Sequence, residues 1–211
     1  MKVEDFLADL SDAVDRRRGE ITQVRRVVAQ FKGTILEQTA AIMAIPMLYA
    51  HWEGFVKESV ELYIEFLERQ SMTPIDADPT IFAFAMKKHL NRIVQSGSVA
   101  NMAAFAEWAL RASTCSVFFE DKSVETRSNL SFENLEDLCA PLRIDVAGLK
   151  FQSRKINALV HKRNNVAHTG RPPAANESTV ESDSDLAMVL ITQFEALLKI
   201  TAENGAFRRS I

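Results

Sequence analysis

The sequence predicts an all-α protein of one domain, and three observations predict it. Apolar residues recur at helical spacing over several long stretches. Gly (7) and Pro (6) are scarce in 211 residues, which favours long regular elements with few tight turns. No internal repeat and no linker-like stretch divides the chain, so residues 1–211 are expected to form a single helical domain.

The first helix is expected from about Lys2 to Lys32. There Phe6, Leu7, Leu10, Val14, Ile21, Val24, Val28 and Phe31 alternate with charged residues. Gly33 ends it. A second long helix should run from about Thr34 to Gln70, apolar on nearly every side in its middle and so crossing the core. Pro46 should kink it, or split it near Ile45, because proline removes a backbone donor and clashes with the preceding turn. Met72 to Pro79 reads as a loop. Asp78 and Pro79 then supply an N-cap and a first helical residue for a helix that ends at Ser96-Gly97. A shorter helix follows from about Val99 to Arg111.

Residues 114–130 mix β-branched, aromatic and charged types, and could hold a short strand or an irregular connection. Ser131 caps a helix reaching about Pro141. Another covers about Lys150 to His168, stopped by Thr169-Gly170-Arg171-Pro172-Pro173. Ala174 to Ser184 is polar and reads as a loop. A last amphipathic helix is expected from about Asp185 to Glu203. Antiparallel packing of the long helices is the default for such a chain.

A hydrophobic content of 47% and a charged content of 25% are ordinary for a globular core. The formal charge of −3 argues against a bulk electrostatic binder of nucleic acid but leaves room for a local basic site. The N-terminus is polar and charged from Lys2. The longest apolar run, Ala40 to Ala50, is too short for a bilayer and contains Pro46. We therefore expect a cytoplasmic protein without a membrane span. Cys115 and Cys139 have no C-x-x-C partner or nearby His cluster, and read as free thiols in a reducing compartment. His51 and His89 lack metal-ligand neighbours at helical spacing, so no metal and no cofactor are expected.

The chemistry concentrates on the helix ending at His168. At about 100° per residue, Ile156, Leu159, Val160, Val166 and Ala167 form one apolar stripe, and Arg163 lies in its middle. A guanidinium on a core-facing surface is costly unless paired, and Glu53 is the candidate partner. Asn157, His161, Asn164 and His168 share a polar line on the adjacent face. His168 falls in the last turn, where the helix dipole favours imidazolium and proton exchange near neutral pH is natural. From Val146 to Asn176 there is no Asp or Glu, but there are Lys150, Arg154, Lys155, Lys162, Arg163 and Arg171. A phosphate-bearing ligand is the simplest partner for that surface. Tyr49 and Trp52 read as core residues. The runs Asp15-Arg16-Arg17-Arg18 and Arg25-Arg26 read as solvated faces that could extend a path for RNA.

Arg163, four residues, then His168, with Asn164 directly after the arginine, resembles the signature of the HEPN superfamily. The segment Tyr49-Ala50-His51-Trp52-Glu53-Gly54-Phe55-Val56-Lys57 is similar to the second helix of its bacterial MAE-type and RiboL-PSP-type branch. Ser128-Asn129-Leu130 agrees with that branch. The resemblance covers roughly residues 40–170 in patches. One departure is Thr169, which stands between His168 and the glycine that often follows directly in the family.

The resemblance implies a HEPN-like bundle of long antiparallel helices with extra short ones. It further implies metal-independent RNA cleavage, in which the ribose 2′-OH attacks the adjacent phosphate to leave a 2′,3′-cyclic phosphate. His168 would act as base or acid, Arg163 would stabilise the phosphorane, and Asn164 would orient one of them. His161, Lys162, Asn157 and Arg171 would contact the substrate, with Glu53 supporting Arg163. Family members usually pair, so a homodimer with a composite site is expected. Arg163 and His168 point about 140° apart on one helix, which is compatible with that. A toxin or phage-defence role would add an antitoxin protein as partner. The rival expectations are a non-catalytic module that binds RNA, a nucleotide or a protein, and a helical scaffold in which Arg163 and His168 only pair and cap.

Overall fold

The structure is a computed structural model, and it describes residues 1–112, 115–119, 124, 129–168 and 174–209, with the side chains of His89 and Ala112 excepted. The helices are α1 (Val3–Ala29), α2 (Glu37–Glu68), α3 (Pro79–Ser96), α4 (Val99–Ala112), α5 (Phe132–Cys139), α6 (Ser153–His168) and α7 (Glu177–Glu203). Two 3-10 turns, Ala140–Leu142 and Ala147–Gln152, follow α5 and precede α6. Among the described residues the protein is all-α. Its only β-type pairing there is an isolated bridge between Ala77 and Arg208.

Three long helices, α1, α2 and α7, pack against one another, and α6 lies against α2. In α1, Phe6, Leu10, Val14, Ile21, Val24 and Val28 are buried, as their spacing predicts. The ion pair Arg25–Asp185 and the hydrogen bond from Arg18 to Thr192 run in opposite directions along α1 and α7, so the two are antiparallel. Trp52 of α2 is fully buried and meets Phe194 of α7 edge-on at 6.1 Å. The arginine runs of α1 are exposed at Arg16, Arg18 and Arg26, as expected of solvated faces, but several of the arginines also bridge helices. Arg16 and Arg17 both pair with Glu58, and Arg25 with Glu181 and Asp185.

Pro46 does not split α2, which continues through it from Glu37 to Glu68. The missing N–H deprives one carbonyl of its helical partner. Ala44, Ile45, Leu48 and Tyr49 around it are all buried, and their packing holds the helix across the defect. Asp78 caps α3 by accepting from Thr80 N–H at 2.8 Å, and Gly97 closes it in the left-handed region at φ +55°.

Of residues 114–130, the described ones form an irregular connection tied to α2 and its C-terminal loop. Val117 N–H donates to the Met72 carbonyl and Phe119 N–H to the Glu68 carboxylate. Ser128 and the expected stop at Thr169–Pro173 lie outside the described residues.

The expected loop over 174–184 is corrected at its C-terminal part. Helix α7 begins at Glu177, eight residues earlier than its apolar pattern suggests. Asn176 caps it by accepting from Thr179 N–H at 3.0 Å, and Val180, Asp183 and Ser184 are buried. The polar composition misleads because the inward polar groups have internal partners. Ser184 donates to the Val180 carbonyl, and Asp183 binds Lys162.

Candidate functional site

Helix α6 docks on α2 through Ile156, Leu159 and Val160, all buried. The apolar stripe then ends sooner than the wheel predicts: Val166 is half-buried and Ala167 is exposed. Arg163 sits where the stripe gives out, half-buried against Tyr49 of α2. Its guanidinium carbon is 5.0 Å from the centre of the Tyr49 ring. Nη1 donates to Asn164 Oδ1 at 2.8 Å and to Asn129 Oδ1 at 3.3 Å.

Tyr49 itself is fixed at its far end. The hydroxyl accepts from Leu130 N–H at 2.6 Å, and the Glu53 carboxylate lies near enough to hold the hydroxyl's proton more tightly. Burial, with a smaller contribution from Glu53, pushes the hydroxyl up to about 12, so it stays protonated at any ordinary pH. Among the described residues no ion pair joins Glu53 to Arg163. The Glu53 carboxylate lies 3.8 Å from Lys57 Nζ, and both it and Arg163 act on the Tyr49 hydroxyl through their charge. Among the described residues Arg163 is held by two amide oxygens and a π-face, with no carboxylate. A cation held by neutral groups keeps its charge available to an anion.

The polar line of α6 is present, but its members differ in what they do. His168 is exposed in the last turn and has no hydrogen bond or ion pair among the described residues. His161 is exposed, with Nδ1 3.2 Å from the Asn165 amide nitrogen. That contact is a hydrogen bond when Nδ1 is the unprotonated ring nitrogen. Asn164 is engaged with Arg163. Asn157 Oδ1 accepts from Phe132 N–H at 2.9 Å, which satisfies a free donor at the start of α5 and joins that helix to α6. Lys162 leaves the polar face for α7, where its ammonium bridges both oxygens of Asp183 at 2.7 and 2.8 Å. Arg171 lies outside the described residues.

Structure thus brings together Arg163, Asn164, Tyr49, Asn129 and Glu53, from three separate parts of the chain. His161 and His168 stand on the neighbouring exposed face. Sequence reasoning missed the role of Tyr49, which reads only as core, and of Asn129. The segment Ser128-Asn129-Leu130 ahead of the capped helix was the hint of the latter.

An open apolar groove of about 570 Å³ lies between α1 and α2, lined by Val24, Val27, Met43 and Met47 among others. It contains no residue of α6. Among the described residues no helix is long and apolar enough to cross a membrane.

Residues 6–201 match the family model described as HEPN_MAE_28990-like HEPN. No curated protein and no solved structure matches the chain.

Proposed function

The chain belongs to the HEPN_MAE_28990-like HEPN family, a membership that supports an RNA-related function of the general HEPN kind, and within it we propose a metal-independent endoribonuclease. The observation that carries this reading is the Arg163 guanidinium, ordered by Tyr49, Asn129 and Asn164 and without a carboxylate partner among the described residues, on the same helix as the exposed His168.

In the proposed reaction the ribose 2′-oxygen bonds to the adjacent phosphorus while the bond from phosphorus to the 5′-oxygen breaks. A histidine takes the 2′-OH proton and another supplies a proton to the leaving oxygen. Charge builds on the non-bridging oxygens, and Arg163 faces it with charge-assisted hydrogen bonds. One chain offers one His168, about 140° around the helix from Arg163. A homodimer that sets two copies of α6 across one cleft supplies both proton-transfer groups and both arginines. Toxicity held in check by an antitoxin protein, in the cytoplasm, fits such an enzyme.

The test uses mixed-sequence RNA in excess chelator, with wild type, His168→Ala and Arg163→Ala. Wild type should generate cyclic-phosphate ends, and both variants should lose at least a hundredfold in rate. Activity that survives either substitution sinks the catalytic assignment. A second reading, RNA binding without cleavage, is favoured by one observation: nothing among the described residues orients the His168 ring. Salt-sensitive binding without cleavage would select it.

A further inference from the structure

At the opposite end of α6 an aromatic side chain stands in water among cations. Phe151, in the 3-10 turn Ala147–Gln152, is 69% exposed. Its neighbours Leu149 and Gln152 turn inward and are buried, which leaves the phenyl ring outside. Lys150, Arg154 and Lys155 flank it, all exposed, and none has a carboxylate partner among the described residues. The acids on the facing side of α7 are already taken. Glu181 and Asp185 pair with Arg25, and Asp183 with Lys162.

The helical repeat joins this cluster to the histidines. Arg154, Ala158, His161, Asn165 and His168 follow at steps of three or four and form one strip along α6, and Phe151 stands three residues ahead of Arg154 in the 3-10 turn that leads into the helix. All but Asn165 are exposed, and Asn165 is half-buried. At 1.5 Å per residue the strip and Phe151 together span about 25 Å. Ala158, midway, presents only a methyl group and leaves the path open.

We propose that this strip carries single-stranded RNA, with Phe151 as the platform on which one base stacks. Arg154 and Lys155 hold the phosphates beside it, and the strand runs past Ala158 and His161 to His168. A phenyl face recognises any base, and it reaches a base only when the strand is unpaired, because duplex bases are already stacked. Cations without acidic counterparts select a polyanion over a protein surface of mixed charge. The direction of the path rests on the ribonuclease reading; the stacking site does not.

The experiment measures binding of a 2′-O-methyl ten-nucleotide single strand, which lacks the attacking hydroxyl, to the full chain. Phe151→Ala should weaken binding about tenfold and Phe151→Trp should not weaken it. Arg154→Ala with Lys155→Ala should lower the slope of log affinity against log salt by about 1.4. The thermal midpoint of Phe151→Ala should stay at the wild-type value, since the ring packs on little. Cleavage of the unmodified ten-mer should fall in Phe151→Ala in step with its loss of affinity. Equal binding by wild type and Phe151→Ala, equal affinity for a blunt duplex, or no binding by wild type would each overturn the stacking site. A wild type that binds through Phe151 but cleaves nothing overturns the ribonuclease reading and leaves the site standing.

Discussion

The guanidinium of Arg163 lies over Tyr49 with its central carbon 5.0 Å from the ring centre, and the hydroxyl of the same tyrosine accepts the Leu130 N–H at 2.6 Å. Ring and hydroxyl therefore have separable duties. Tyr49→Phe keeps the ring under Arg163 but leaves a buried donor unpaired, at a cost of about 1–3 kcal/mol in unfolding free energy. RNA affinity should stay within twofold. Tyr49→Leu should lose stability and RNA affinity together. Urea unfolding and binding titrations on the two variants check both statements.

Asn129→Asp tests whether the neutrality of the cradle matters. The new carboxylate would sit 3.3 Å from Arg163 Nη1, where the amide oxygen is now. An ion pair there should preserve or slightly raise the thermal midpoint. It should also offset the charge offered to phosphate, so RNA affinity and cleavage should fall about tenfold or more. Unchanged activity with the midpoint preserved would show that the charge of Arg163 is not used.

Lys162 and Asp183 form a pair in which the carboxylate side chain is 7% exposed and the lysine 31%. Removing the lysine alone strands a buried anion, so Lys162→Ala should destabilise by about 3 kcal/mol. Lys162→Met with Asp183→Leu should recover most of that loss, because no charge is then left buried. Denaturant midpoints of the single and double variants measure it. If RNA binding in the double variant is intact, Lys162 serves the fold rather than the ligand.

Alkali should unfold the protein early. Burial pushes the Cys139 thiol up to about 12, the Tyr49 hydroxyl up to about 12, and the Tyr63 hydroxyl up as well. In the unfolded chain a thiol ionises near 8.5 and tyrosines near 10, at roughly their free values. Each group holds its proton more tightly when folded. Their contribution is complete below about pH 8.5 and is lost as pH climbs towards 12. Urea midpoints should fall steadily from pH 9 to 11. Cys139→Ala should flatten the first part of that fall.

The helices were legible where apolar periodicity is strong, as in α1 and α2. They were not where polar residues face inward with partners. Asp183 and Ser184 sit at core positions of α7, and nothing local distinguishes them from loop residues. The site was half legible for a similar reason. Arg163 and His168 are five residues apart and share a helix, so a wheel relates them. The Arg163–Tyr49 contact spans 114 positions, and the Arg163–Asn129 bond spans 34, so only the fold relates those. Asn157 was assigned to the ligand because it shares the histidine line. Its bond to Phe132 N–H depends on where α5 begins, which the wheel does not contain.

The arginine cradle draws on α2, the segment before α5, and α6. A chain still missing α6, or one that has let α6 peel away, has no ordered cation to offer a phosphate. If the proposed function holds, competence to grip the polymer would therefore arrive only once these three parts of the chain have come together, and a chain still emerging from the ribosome would be inert towards the RNA around it.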